Sequence, residues 1–325
     1  MTLSAEDITI AVTVFNRRQF LKQAIGSALD QRTPARVIVV EDCGPDPELA
    51  AFVMQEVGSR IEYFRNQRRR GIFGNWNACI EYCRTPWLSI LHDDDYLASN
   101  FIEAMVELAR LAPHCGLYFG HTPMLNDAGE TIPCGVRPAM KKPWQRVELA
   151  DTLEITPFPF PGHIFKVDYA RALGGFRETS QYCGDWEMWC NLIAHYGAAQ
   201  TGVTVGYNRS HGGFERGSSK IYFNGRLRPL TFVQQKRILN LLRQQGAQVR
   251  FNRAEFLRKS PMSARYLVHH GASLTPRLLR YHVGLLLLST PPSRAHAMFQ
   301  ALARVLGVRF IKAASWLARL ASSSP

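Results

Sequence analysis

The 325-residue chain lacks any apolar run long enough to cross a membrane as a helix. Its longest uncharged apolar segment, Tyr281 to Ser293, is well short of the roughly 20 residues a span needs. Cysteine is scarce and poorly spaced for metal fingers. The seven residues 43, 79, 83, 115, 134, 183 and 190 form an odd set. Cys79 and Cys83 stand four apart on a predicted helix, which favours reduced, packed thiols over a disulfide framework. No internal repeat divides the chain. No basic leader precedes the first strand in MTLSAEDITIAV, so a cytoplasmic location is expected. Acid is almost missing from the last hundred residues. From Arg226 onward there are 17 Lys and Arg against one acid, Glu255, whereas the first 225 residues hold 22 basic and 25 acidic side chains. That asymmetry marks two regions with different electrostatic tasks. A glycine-rich, Lys/Arg-bearing loop is also missing after the first strand, where Val14-Phe15-Asn16-Arg17 stands instead. This argues against a nucleotidyltransferase.

What is present is an alternation of strand and helix patterns over the first 120 residues. Ile8 to Val14, Arg36 to Val40, Ile61 to Phe64 and Pro86 to Leu91 read as strands; Arg18 to Asp30, Pro47 to Val57, Ile72 to Cys83 and Asn100 to Arg110 read as helices. Such βαβ spacing predicts a parallel, doubly wound sheet, whose ligands bind at the carboxyl ends of strands. Three strands end in polar or acidic residues: Asn16, Glu41-Asp42 and Asp93 to Asp95. Farther on, Asn126 to Gly129 suggests a hairpin, Asp185 to Tyr196 a helix and Thr201 to Tyr207 a strand.

Adjacent carboxylates repel unless a cation or hydrogen-bond donors compensate. Asp93-Asp94-Asp95 therefore reads either as a site for a hard ion such as Mg2+ or Mn2+ or as an acidic turn capping the following helix. Arg68-Arg69-Arg70-Gly71, opening a helix, combines cations with helix N–H groups in a way that suits a diphosphate. A solvated basic loop is the alternative. Asp185 is suited to removing a proton from a hydroxyl, or to capping its own helix.

Taken in order, TVFNR (13–17), VVEDCGPD (39–46), RRRGIFGNWN (68–77), LHDDDYL (91–97), GGF (174–176) and GDWEMW (184–189) resemble glycosyltransferase family 2 over about residues 7 to 215. The resemblance implies a GT-A fold, a mixed doubly wound α/β sheet with a Rossmann-like nucleotide-binding half. It places Thr13, Phe15 and Asn16 beside the nucleotide, Asp42 on the imide of a pyrimidine base, Arg70 and Asn77 on the diphosphate side, and Asp93 at the ribose. Asp94 falls at the metal, and His211 of Tyr207-Asn208-Arg209-Ser210-His211 near it. His92 stands where many members carry a further aspartate. Asp95 then supports its neighbours or caps the next helix. Asp185 corresponds to the catalytic base, with Glu187 second to it. His163 and Trp186 fall beside the acceptor; Trp186 and Trp189 also suit the core.

The expected activity is inverting transfer from a UDP- or dTDP-sugar, with Mg2+ or Mn2+, to a glycan or lipid-linked acceptor in cell-surface polysaccharide synthesis. Residues 1–225 are expected to form the catalytic domain, with 1–120 for the nucleotide and 121–225 for the acceptor. Residues 226–325 lie outside the resemblance and are expected to form a basic helical extension. Within Ala301 to Leu320, Arg304, Lys312 and Arg319 fall opposite Leu302, Leu306, Leu317 and Leu320. That pattern fits either packing on the catalytic domain or an anionic membrane surface. No nucleic-acid module accompanies the charge. A surface-binding protein with a degenerate transferase domain is the non-enzymatic alternative.

Overall fold

A computed structural model of the protein describes residues 3–126, 128–132, 140, 142–152, 160–180, 184–209 and 237–246. One compact unit comprises residues 1–212 with 240–247. Of a second unit, 213–239 with 248–325, only residues 237–239 are described, within a helical stretch 237–244.

The alternation in the sequence becomes β1 (Ile8–Val14), α1 (Leu21–Leu29), β2 (Arg36–Glu41), α2 (Leu49–Val57), β3 (Glu62–Arg65), α3 (Gly71–Tyr82) and β4 (Trp87–His92). These four strands are mutually parallel in the order β3-β2-β1-β4. Their side chains alternate between two apolar layers, as the pleat requires. Ile8, Ile10, Val12, Val37 and Val39 face a cluster with Leu21 and Ile25 of α1 and Leu49 and Val53 of α2. Ala11, Ile38, Val40, Leu88 and Ile90 face the opposite cluster with Phe73, Trp76 and Cys79 of α3. Burial on both faces is why β1, β2 and β4 read as continuous apolar runs rather than as alternating ones.

The rest of the unit is β5 (Tyr96–Leu97), α4 (Phe101–Leu111), β6 (Leu117–His121), β7 (Met124–Leu125), β8 (Thr131–Ile132), β9 (Trp144–Arg146), α5 (Leu149–Thr152), β10 (His163–Lys166), α6 (Val167–Ala172), α7 (Gly184–Tyr196), β11 (Ala198–Thr204) and β12 (Gly206–Arg209). The main sheet is mixed, because β10 runs antiparallel to both β4 and β6. The full order is β3-β2-β1-β4-β10-β6-β11-β9. The hairpin signal is realised by antiparallel β7 and β8, with the Asn126 side chain accepting the Glu130 N–H at 2.9 Å.

The single strand expected over Thr201 to Tyr207 is two. β11 stays in the main sheet, whereas β12 joins a small second sheet of order β5-β12-β7-β8. At the crossing, Val205 donates to His121 O and accepts from Ala98 N–H, each at 2.9 Å. Gly206 permits the crossing: a Cβ there would lie 3.0 Å from the Tyr96 carbonyl oxygen. Among the described residues, Cys43, Cys79, Cys83, Cys115 and Cys190 are free thiols. No described helix is long and apolar enough to cross a membrane.

Candidate active site

The chain leaves β1 to one side, building β2 and β3, and returns to the other side as β4. A crevice opens where the direction of winding reverses, at the carboxyl ends of β1 and β4. In-register pairing puts Val14 opposite Glu41 and Thr13 opposite His92. The acids of β2 and β4 thereby flank the end of β1. Thr13 itself is buried and donates to Leu91 O at 3.3 Å, tying the two strands together at this edge.

Each acid of the Glu41-Asp42 pair has its own task. Glu41, wholly buried, accepts hydrogen bonds from Gly44 N–H at 2.8 Å, Tyr63 Oη at 2.6 Å and Arg65 at 2.5 Å. It fixes the turn after β2. Gly44 has no substitute in this turn, since a Cβ would fall 1.7 Å from the Phe15 carbonyl oxygen. Asp42 accepts Arg70 N–H at 2.7 Å and Gly71 N–H at 2.9 Å, together with Asn66 Nδ2 at 3.2 Å. It caps α3, where the helix dipole favours a negative charge. Asn66 extends the network to Asn75, whose amide donates to Val40 O at 3.2 Å.

At the end of β1, Phe15 is half-buried under the Arg69 guanidinium, 4.4 Å from the ring centroid, and Asn16 is exposed. Arg17 reaches across to β4. One of its nitrogens is 2.5 Å from Asp93 and the other 2.6 Å from Asp94. Asp95 turns the opposite way. It accepts Arg209 N–H at 2.8 Å and Asn208 Nδ2 at 3.2 Å, so it anchors β12. Arg209 also donates to Asp94 O at 3.1 Å and lies 4.0 Å from the Phe20 ring centroid. Burial pushes the Asp93 carboxyl up to about 6 against the pull of Arg17, and raises Asp95 well above the usual range.

A further carboxylate opens α7. Asp185 lies half-buried in the first turn of α7, and burial lifts its carboxyl to about 6. Gly184 seats α7 against Phe73, where a Cβ would meet the ring at 2.3 Å. Phe73 packs edge-on against Trp76 at 5.2 Å, and Trp76 stacks on His92 at 5.6 Å. A continuous aromatic wall therefore joins the start of α7 to the acidic loop.

His92, Asp94 and Asp95 each offer one donor atom, all within 4.8 Å of one another. Carboxylate oxygens beside a neutral imidazole suit Mn2+ or Mg2+. Burial keeps the imidazole neutral, pulling His92 down to about 4. These residues fit a divalent cation. His211, expected near the metal, lies outside the described residues.

Several expectations require correction. The Arg70 guanidinium does not face the acidic loop: it runs past Gly74 and pairs with Glu81 at 2.6 and 2.7 Å. Asn77 makes two 2.8 Å hydrogen bonds with the Phe176 backbone and so holds the Gly174–Phe176 turn. His163 is fully buried, its Nδ1 bonded to the Phe160 carbonyl oxygen, among Phe160, Phe165 and Trp189. Burial lowers it to about 3. Trp186 is buried and donates to Thr152 O at 2.5 Å. Glu187 is buried against Ser180 Oγ at 2.8 Å and 3.7 Å from Arg177. Conversely, Arg17, Asn66 and Arg69 lie beside these acids and Phe15; Arg17 stands in the TVFNR motif and Arg69 in the basic run, whereas Asn66 falls in none of the motifs.

Comparison with known proteins places this geometry. The family model described as glycosyl transferase family 2 matches residues 9–146. The chain is 33% identical over 109 residues to the succinoglycan biosynthesis protein ExoO of Rhizobium meliloti, covering 33% of this chain and 30% of that protein. It is 30% identical over 105 residues to GalNAc(5)-diNAcBac-PP-undecaprenol beta-1,3-glucosyltransferase of Campylobacter jejuni, covering 31% of this chain and 34% of that one. The match thus spans about a third of the length of these relatives. Among solved structures, S. aureus TarS 1-349 in complex with UDP-GlcNAc superposes with a TM-score of 0.63 at 14% identity, covering 89% of this chain and 83% of that chain. That likeness shows the fold, a GT-A mixed sheet.

Proposed function

We propose that the protein is an inverting, metal-dependent transferase moving a sugar from a UDP- or dTDP-sugar to a hydroxyl of a glycan or lipid-linked acceptor, a reading supported by the match of residues 9–146 to the glycosyl transferase family 2 model. The observation carrying this reading is that Asp42 just after β2 and Asp93-Asp94 just after β4 flank the end of β1, while Phe73 and Trp76 link the start of α7, where Asp185 lies, to His92.

Asp42 has a second use here beyond capping α3. A carboxylate offers about four acceptor positions, and three donors occupy Asp42. The remaining position suits the imide N–H of uracil or thymine, with Phe15 and Arg69 beside the ring. Cytosine presents no such donor. Asp93 faces the ribose. Asp94, with His92 and Asp95 beside it, would hold Mg2+ or Mn2+, which when bound neutralises charge developing on the leaving diphosphate.

Asp185 acts on the acceptor. Its carboxylate takes the hydroxyl proton as the acceptor oxygen attacks the anomeric carbon, and the bond to the diphosphate oxygen breaks in the same displacement. A carboxyl raised to about 6 is a stronger base than a solvated aspartate yet stays ionised at neutral pH. One displacement without a covalent intermediate inverts the anomeric centre. ExoO and the Campylobacter enzyme, by their names, serve succinoglycan biosynthesis and an undecaprenol-linked acceptor, which favours a polysaccharide or lipid-linked acceptor here.

The test is a donor screen with Mn2+, scoring hydrolysis and thermal protection by UDP-, dTDP- and GDP-sugars. Turnover of a UDP- or dTDP-sugar is expected. Preference for a GDP-sugar would overturn the role given to Asp42.

A further inference from the structure

Asp94 stands between two cation positions. On one side Arg17 spans Asp93 and Asp94 at 2.5 and 2.6 Å. On the other, Asp94 shares the group of donor atoms contributed by His92 and Asp95. One carboxylate cannot give its full charge to both. The Asp93 and Asp94 side chains are 7% and 15% exposed, whereas Arg17 is 45% exposed. The carboxylates are therefore fixed, and the guanidinium is the partner that can leave for water at little desolvation cost.

We propose that Arg17 is the resident counter-ion of the acidic loop, and that binding of a divalent cation at Asp94 and release of Asp94 by Arg17 are one exchange. Without metal, the guanidinium holds together two adjacent carboxylates that would otherwise repel. With a divalent cation held at Asp94, Arg17 would give up Asp94 and keep its bond to Asp93. The same side chain thus keeps the empty loop folded and sets a threshold for metal. This rests on the metal-dependent reading of the site given above.

The exchange is tested by calorimetric titration of Mn2+ alone, without nucleotide, into the full chain and its Arg17→Gln and Arg17→Lys variants. Loss of the competing cation should tighten Mn2+ binding about tenfold in Arg17→Gln, a coupling of about 1.4 kcal/mol. The gain should be smaller in Arg17→Lys, whose point charge cannot hold both carboxylates. Thermal midpoints give a second readout. In EDTA, Arg17→Gln should melt below the wild type, and Mn2+ should raise its midpoint more than it raises the wild-type one. Recovery of Arg17→Gln in folded form only with Mn2+ present would give the same support. Equal or weaker Mn2+ affinity in Arg17→Gln, equal Mn2+ gains in midpoint, or no Mn2+ binding by any form would overturn the exchange. A wild type that turns over donor yet binds no Mn2+ sinks this inference and the metal dependence, and leaves sugar transfer standing. The expected Mn2+ ordering without turnover of any donor sinks the transferase reading and leaves the exchange standing.

Discussion

Asp185 takes the role of base in the proposed mechanism, and its environment makes a pH profile informative. Burial stabilises the protonated form and raises the group to about 6. A general base must be deprotonated, so kcat should be level above about pH 7 and fall as pH drops through about 6. Asp185→Asn keeps the size of the side chain and removes the base. Transfer should drop by about 10²- to 10⁴-fold, the usual contribution of a positioned base, while UDP affinity measured by calorimetry stays within twofold. Retained turnover would move the base elsewhere. Asp42 is separable from it. Asp42→Ala would leave the Arg70 and Gly71 N–H groups without their acceptor, costing about 1–3 kcal/mol in urea unfolding. It should also weaken UDP and dTDP binding and leave any metal affinity unchanged.

At the scale of elements, α3 is the piece that ties the site to the rest of the unit. Its start is capped by Asp42, its middle carries Trp76 of the aromatic wall, and Asn77 clamps the Gly174–Phe176 turn through paired 2.8 Å bonds. Asn77→Ala strands the Phe176 N–H and carbonyl together, so a loss of about 2–4 kcal/mol is expected from two unsatisfied groups. Denaturant midpoints should show it, and a change below about 0.5 kcal/mol would mean that water replaces the amide.

The helix and its partners also show what the sequence made legible. The strands β1, β2 and β4 were readable because both faces are buried, so each appears as a short apolar run closed by polar residues. Glu41-Asp42 and Asp93 to Asp95 were readable for the same reason. Arg17 was not, because its partner lies on β4, adjacent to β1 only once the winding order is known. Asn77 meets its turn 99 residues away, beyond any local pattern. The resemblance set His163 beside the acceptor, whereas its pairing with Phe119 on β6 carries it into the core. Arg70 was legible in principle, since Glu81 lies 11 residues on, about three helical turns.

Across the whole molecule the dominant fact is the division of charge, with 22 basic and 25 acidic residues in the first 225 against 17 and one in the remainder. A net positive segment of that density needs an anionic partner or a solvated surface. If the relatives' connection with lipid-linked chemistry carries over, the partner is a membrane bearing anionic headgroups. Each Lys or Arg near such a surface contributes about 1 kcal/mol, and the attraction fades within a Debye length of about 8 Å at physiological salt. The full chain should therefore cosediment with vesicles of phosphatidylcholine containing phosphatidylglycerol and ignore pure phosphatidylcholine. Raising NaCl to about 1 M, where the Debye length is about 3 Å, should release it. Charge reversal at Arg304, Lys312 and Arg319, three basic residues on one predicted helical side, should reduce binding without altering donor hydrolysis by the crevice residues. Cosedimentation that is insensitive to both salt and headgroup charge would mean that the basic segment is not what holds the protein to the vesicle.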